Sequence, residues 1–385
     1  AIGCSHALCD AEALFTLLRG WAAELRGVGD EEYCVPEFSR HRLMLKKEEV
    51  KTFKPNKVVL GKHFAHSILR HAWYFIGLWP SRRWKPRSWI WDKAQINALK
   101  QAAFGGKAGQ KLKEIGRISG NDVLLAWYWK LNAVLNNGFE ANRPILCTMV
   151  INTRKWIPHR FPKKGTDYFG NGLAFLVLHE QRGKLIEMDF SEVVLRVRET
   201  VMKLTPDDFE DDLHFYQQWM DANPLRYRQC FQGRWAVGPT ESGQDVYGGF
   251  WHSHFIHNRD MMVSNLMKLN THEMDMGQGH PVSVKFNHRD EPTMMTYIFK
   301  YPCEQWDKFE FYGSFPVEYD AFFKEYDVQN AKLNWKEVQE KYVTFPTWRT
   351  YFREYPWMRC FRVYPKRDWC SRRRDKKANF LCIEL

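Results

Sequence analysis

Behind Ser119-Gly120-Asn121-Asp122, the residues Val123, Leu124, Trp127, Tyr128, Leu131, Val134 and Leu135 recur at spacings of three and four. The spacing predicts a helix, and Ser and Asp three apart predict a capping box at its start. The apolar stripe is so broad that the helix is expected in a core rather than on a surface. A second helix is expected after Asp10, with Leu14, Phe15, Leu18, Trp21, Ala22 and Leu25 on one face. Further helices are expected after Asp92, with Ile96, Leu99 and Ala103, and after a Ser191 cap, with Val194, Val197, Val201 and Leu204 ahead of Pro206. Short β-rich runs fall between and beyond them, at 145–151, 173–178, 261–269, 281–286 and 294–299. Helices interleaved with short strands predict an α/β protein built on mixed sheets.

The segment 27–88, basic and aromatic with Pro36, Pro55, Pro80 and Pro86, reads as a crossover between two lobes. A boundary is expected near residue 115, and the chain turns polar, aromatic and basic beyond about 330. The expected units are therefore 1–114, 115–330 and a C-terminal extension over 331–385. Net charge is +12, concentrated at 81–89 and at 366–377, where seven Lys or Arg meet two Asp. Such runs are mostly solvated faces, but basic residues interleaved with Trp also suit single-stranded nucleic acid, which stays open as a rival. The nine cysteines form no CxxC pair, which argues against a disulfide framework and a zinc ribbon. No apolar run reaches the roughly 20 residues that span a bilayer, and a cytoplasmic location is expected.

Chemistry enters at Ser5-His6-Ala7-Leu8-Cys9-Asp10, an HxxxD spacing that runs into the first expected helix. A His on the turn before a helix can aim its ring into a cleft, and its ordinary pKa near 6.5 suits proton removal at neutral pH. Asp10 can serve as a helix cap or fix the turn from the other side. Taken alone, this spacing arises often by chance. His252, His254 and His257 lack the further ligand that a metal site would need, and no metal is expected. Asp275-x-Gly277-x-Gly279 lacks the additional carboxylates of a calcium loop.

Several segments in order are similar to the BAHD acyltransferases, which carry an HxxxD motif. The opening Gly3–Asp10 with Ala13-Leu14-Phe15 and Trp21-Ala22 resembles that family's HxxxD region. Ile118–Lys130 resembles its helix opening the second lobe, and Ile151-Asn152-Thr153-Arg154 its strand-end Arg segment. Tyr168-Phe169-Gly170-Asn171-Gly172 resembles its YFGN turn, and Val263-Ser264-Asn265-Leu266 a strand ending in Ser-Asn-Trp, with Leu266 in place of Trp. Asp275–Val282 resembles its DFGWG element, with Met276 for Phe and Gln278 for Trp.

The resemblance implies two α/β lobes with an active-site channel between them, a plan related to chloramphenicol acetyltransferase and condensation domains. It implies acyl transfer from acyl-CoA, a co-substrate rather than a bound cofactor, to a small-molecule hydroxyl or amine. His6 would be the general base, Asp10 would pair with Arg154 as structural support, and Ser264 or Asn265 would supply the oxyanion donor. Asp275, Gly277 and Gly279 would form a structural turn. Lys155, Arg160, Lys163 and Lys164 are basic candidates for the coenzyme's mouth. Family members carry about a third of their length before the HxxxD motif, so part of the first lobe is expected to lie upstream of Ala1. If it does not, an inactive relative or gene fragment becomes the alternative. A monomer is expected.

Overall fold

The computed structural model describes residues 8–28, 35–50, 84–136, 141–161, 168–222, 261–281, 294–300, 308–316 and 319–341, apart from a few positions within them. Among these, the elements are α1 (Ala11–Leu25), β1 (Trp84–Trp91), α2 (Lys93–Gly105), α3 (Gly109–Ile115), α4 (Gly120–Leu135), β2 (Pro144–Asn152), β3 (Leu173–Gln181), α5 (Arg182–Glu187), α6 (Phe190–Met202), α7 (Pro206–Ala222), β4 (Met261–Asn265), β5 (Met294–Lys300), β6 (Phe309–Pro316), α8 (Asp320–Glu325) and α9 (Trp335–Lys341). His6, His252, His254, His257, Lys163, Lys164, the expected strand at 281–286 beyond Pro281, most of the 27–88 segment and the basic run at 366–377 lie outside the described residues.

The six strands form one mixed sheet in the order β1-β6-β5-β4-β2-β3. The β2-β4 and β4-β5 pairs are parallel and the other three antiparallel. Alternation along the strands sends Ile145, Cys147, Met261, Val263, Ile298, Phe311 and Phe315 into one core with α2, α4 and α6. On the opposite face, Tyr297 and Phe299 of β5 receive Phe15 and Leu18 of α1. The sheet thus separates α1, the helix that follows the HxxxD motif, from the main helical layer.

Helix α4 is buried nearly all round, because sheet, α2, α6 and α9 enclose it. The capping box is present: Ser119 Oγ accepts from Asp122 N at 3.1 Å and Asp122 Oδ2 accepts from Ser119 N at 2.7 Å. Trp91 Nε1 donates to Tyr128 OH at 2.9 Å, and Tyr128 stacks on Phe311. Asp92 caps α2 as expected. The cap of α6, however, is Asp189 rather than Ser191: Asp189 and Glu192 close the capping box, while the Ser191 hydroxyl accepts from Ala108 N at 2.8 Å. On α1 the buried seam is Phe15, Leu18 and Ala22; Trp21 and Leu25 face outward with Leu17, because the sheet contact is narrower than the apolar pattern.

Two strands were not anticipated. β1, in the segment read as a crossover, pairs along its length with β6, and its Trp89 and Trp91 join the main core with α2 and α3. Structural continuity therefore runs across the boundary expected at 115. Likewise Val338 and Trp335 of α9 pack into that core, so the described part of the 331–385 segment is no appendage. β1 is an edge strand, which tolerates Pro86, and its Lys85 and Arg87 both engage Asp320 of α8.

Lys130 lies buried within α4, where its ammonium donates to the carbonyls of Leu185, Ile186 and Met188 at 3.1, 2.8 and 2.5 Å, closing the end of α5. Burial lowers its pKa from the usual 10.5 to about 8, against the pull of Asp189 and Glu192. The unfolded chain therefore binds the extra proton between these values, and stability rises with pH across that window. Relative to Lys130→Met, the wild type is expected to gain about 2 kcal/mol between about pH 8 and 10. Urea unfolding at the two pH values checks this; a constant difference would contradict it.

Candidate active site

Asp10, itself extended in backbone, caps α1, its Oδ1 accepting from Ala13 N at 3.0 Å. Arg154 stands in a one-turn 3-10 helix directly after β2 and meets the same carboxylate in a fork, Nη1 to Oδ2 at 2.8 Å and Nη2 to Oδ1 at 3.0 Å. Gly172 N adds a fourth donor, to Oδ2 at 2.8 Å. The guanidinium also donates to the carbonyls of Gly170 and Tyr168 at 3.1 and 3.4 Å, and its carbon lies 5.7 and 5.6 Å from the ring centroids of Phe161 and Tyr168. Segments around residues 10, 154 and 170 are thus tied in one buried knot, both partners' side chains being almost fully enclosed. Gly172 permits the approach, since a Cβ there would come within 2.9 Å of Nη1. Fork geometry and four donors are what let an ion pair persist out of water.

Asn152 and Glu12 extend this knot, and sequence reasoning assigned them no role. Asn152 Oδ1 accepts from Arg154 N at 3.1 Å and Nη1 at 3.4 Å, while its Nδ2 donates to Glu12 Oε2 at 3.3 Å. Burial raises the Glu12 carboxyl above the ordinary carboxylate range, offset by Arg154, Arg19 and Lys155. An acidic residue in the first helical turn was the available signal, but it reads equally as a complement to the helix dipole.

The two oxyanion candidates part company on β4. Alternation places Ser264, buried, on the α1 side of the sheet in register with Tyr297. Asn265 instead donates to Asn121 Oδ1 at 2.7 Å and accepts from Met267 N at 3.0 Å, which binds its carboxamide to the start of α4. Of the basic candidates, Arg160 is engaged by Glu210 of α7, with Nη2 to Oε2 at 2.8 Å, and His159 shares that carboxylate. Arg160 is thus occupied within the fold rather than free at a coenzyme mouth.

At the other end of α1, Asp275 Oδ1 accepts from both Gly277 N and Gly279 N at 2.8 Å, and those N–H groups hold its carboxyl below the usual range. Arg26, capping α1, lies 3.8 Å from Oδ2. At 1.5 Å per residue, the 15 residues of α1 separate this turn from Asp10 by about 22 Å. Gly277 and Gly279 have φ of 91° and 89° with open space around them, so a side chain would meet strain but no clash. Gly277→Ala is expected to cost about 1–2 kcal/mol in urea unfolding without slowing catalysis; an unchanged midpoint would show that the turn is not held this way.

A model described as the Transferase family matches residues 1–326. The chain belongs to this family, the BAHD-type acyltransferases. Among its relatives, the acetyltransferase adrJ of Penicillium rubens is 24% identical over 230 residues, 56% of this chain and 44% of that protein. F. graminearum TRI101 complexed with coenzyme A and deoxynivalenol is similar in structure, with a TM-score of 0.59, 15% identity, and coverage of 83% of this chain and 63% of that one. F. sporotrichioides TRI101 complexed with coenzyme A and T-2 gives 0.52 at 14% identity, with 83% and 63% covered. The chain therefore spans less than half the length of the curated relative and under two thirds of these structures. The likeness establishes the mixed α/β fold of this BAHD-type transferase. Among the described residues, no helix is long and apolar enough to cross a membrane.

Proposed function

We propose that the protein transfers an acyl group from acyl-CoA to a hydroxyl or amine of a small molecule, with His6 as general base. The observation that carries this reading is the buried fork between Asp10 and Arg154, which fixes the chain four residues after His6 and leaves Asp10 no free oxygen for relay chemistry. Membership of an acyltransferase family and likeness to coenzyme A complexes support the donor. His6 takes the acceptor proton as the oxygen or nitrogen attacks the thioester carbonyl, then gives a proton to the departing thiolate. The tetrahedral oxyanion between these steps needs a donor, and Ser264 serves better than Asn265, whose amide already holds Asn121. Asp10 and Arg154 act as supports, and Asp275, Gly277 and Gly279 as a remote structural turn.

The test is thiol release from acetyl-CoA with a panel of simple alcohols and benzylamine, His6→Ala being the baseline. Acceptor-dependent release that vanishes in the baseline supports the reading. Release that is equal in both proteins overturns it.

A further inference from the structure

We propose that Glu12 is a positioning residue for acyl transfer: through Asn152 it holds the Arg154 guanidinium, whose grip on Asp10 sets the chain next to His6. This rests on the reading of His6 as base. The geometry is directional. The two ends of the Asn152 carboxamide are both used, Nδ2 on Glu12 Oε2 at 3.3 Å and Oδ1 on Arg154 N and Nη1 at 3.1 and 3.4 Å. With its amide end fixed by Glu12, Asn152 can present only oxygen to the guanidinium.

A helix-dipole role would be met by an exposed carboxylate. Glu12 is instead half-buried and leans on the end of β2, where losing water disfavours its charge. The charged groups around it are Arg19 and Asp10 on α1 and Arg154 and Lys155 after β2. Burial outweighs the three cations and Asp10 adds to it, so the carboxyl's pKa is raised on balance; its role rests on the contact with Asn152. Small displacements of a catalytic base cost up to about 10²-fold in rate, which sets the scale for losing such a support.

A swap experiment with the full chain tests this, using acetyl-CoA thiol release and the same acceptor panel. Asn152→Asp keeps an oxygen for Arg154 but turns an acceptor toward Glu12; kcat is expected to fall about tenfold or more, with KM for acetyl-CoA unchanged. Glu12→Gln combined with Asn152→Asp restores a donor facing an acceptor in the reverse sense, and recovery of kcat to within about threefold is expected. Glu12→Ala, which leaves the β2 end untouched, should lower kcat about tenfold with an unchanged thermal midpoint. Normal kcat in Glu12→Ala, or a double variant as slow as Asn152→Asp, overturns the inference. If the wild type releases thiol no faster than His6→Ala, the acyl-transfer reading fails first and the inference falls with it.

Discussion

His6→Ala is expected to lower acyl-transfer turnover about 10²- to 10⁴-fold, the scale of general-base catalysis, while leaving the unfolding midpoint where it was. The stability half of this expectation follows from what holds the neighbourhood. Asp10 is fixed by Ala13, Arg154 and Gly172, and α1 is fixed by Phe15 and Leu18 on the sheet, none of which involves the imidazole. The rate half follows from chemistry: without a base, an alcohol must attack the thioester still carrying its proton, and the thiolate must leave without one. Thiol release by purified wild-type and variant proteins, with circular dichroism beside it, checks both halves. Equal turnover on any good acceptor removes His6 from the mechanism.

How far the residues foretold the structure depended on where each signal was local. The start and core placement of α4 were legible because a capping box and an unusually wide apolar stripe lie within 17 residues, Ser119 to Leu135. β2, β3 and β5 were legible as apolar runs. β1 and β6 were not. In β6, Phe309, Phe311 and Phe315 alternate with Glu310, Tyr312 and Ser314, a period-two signal that its polar and aromatic content disguised. In β1 the signal was broken by Pro86, Lys85 and Arg87, which suit an edge strand salted to Asp320 but resemble a basic loop when that partner, more than 230 residues away, is unseen. The same separation governs the site. Asp10 and Arg154 could be paired only through a family resemblance, since they lie 144 positions apart; Glu12 and Asn152 had no such guide and emerge only from the geometry.

Arg154→Met is expected to destabilise the fold by about 3–5 kcal/mol, the usual cost of leaving one charge of a buried pair without its partner. The side chains of both residues are almost wholly enclosed, so water cannot replace the guanidinium at Asp10. Its removal also strips donors from the carbonyls of Tyr168 and Gly170, loosening the turn that supplies Gly172 N to the same carboxylate. Arg154→Lys keeps the charge yet cannot form the fork or reach both carbonyls, and it should fall between the two proteins. Asp10→Asn faces the opposite problem, because its new amide group confronts donors from Arg154 or Gly172, and it should harm folding as much as turnover. The decisive measurement is urea unfolding of Arg154→Met beside the double variant with Asp10→Asn. If the cost is that of a stranded carboxylate, removing the charge as well recovers part of it; if the double variant is as unstable as the two single costs summed, the pair acts as packing and not as an ion pair.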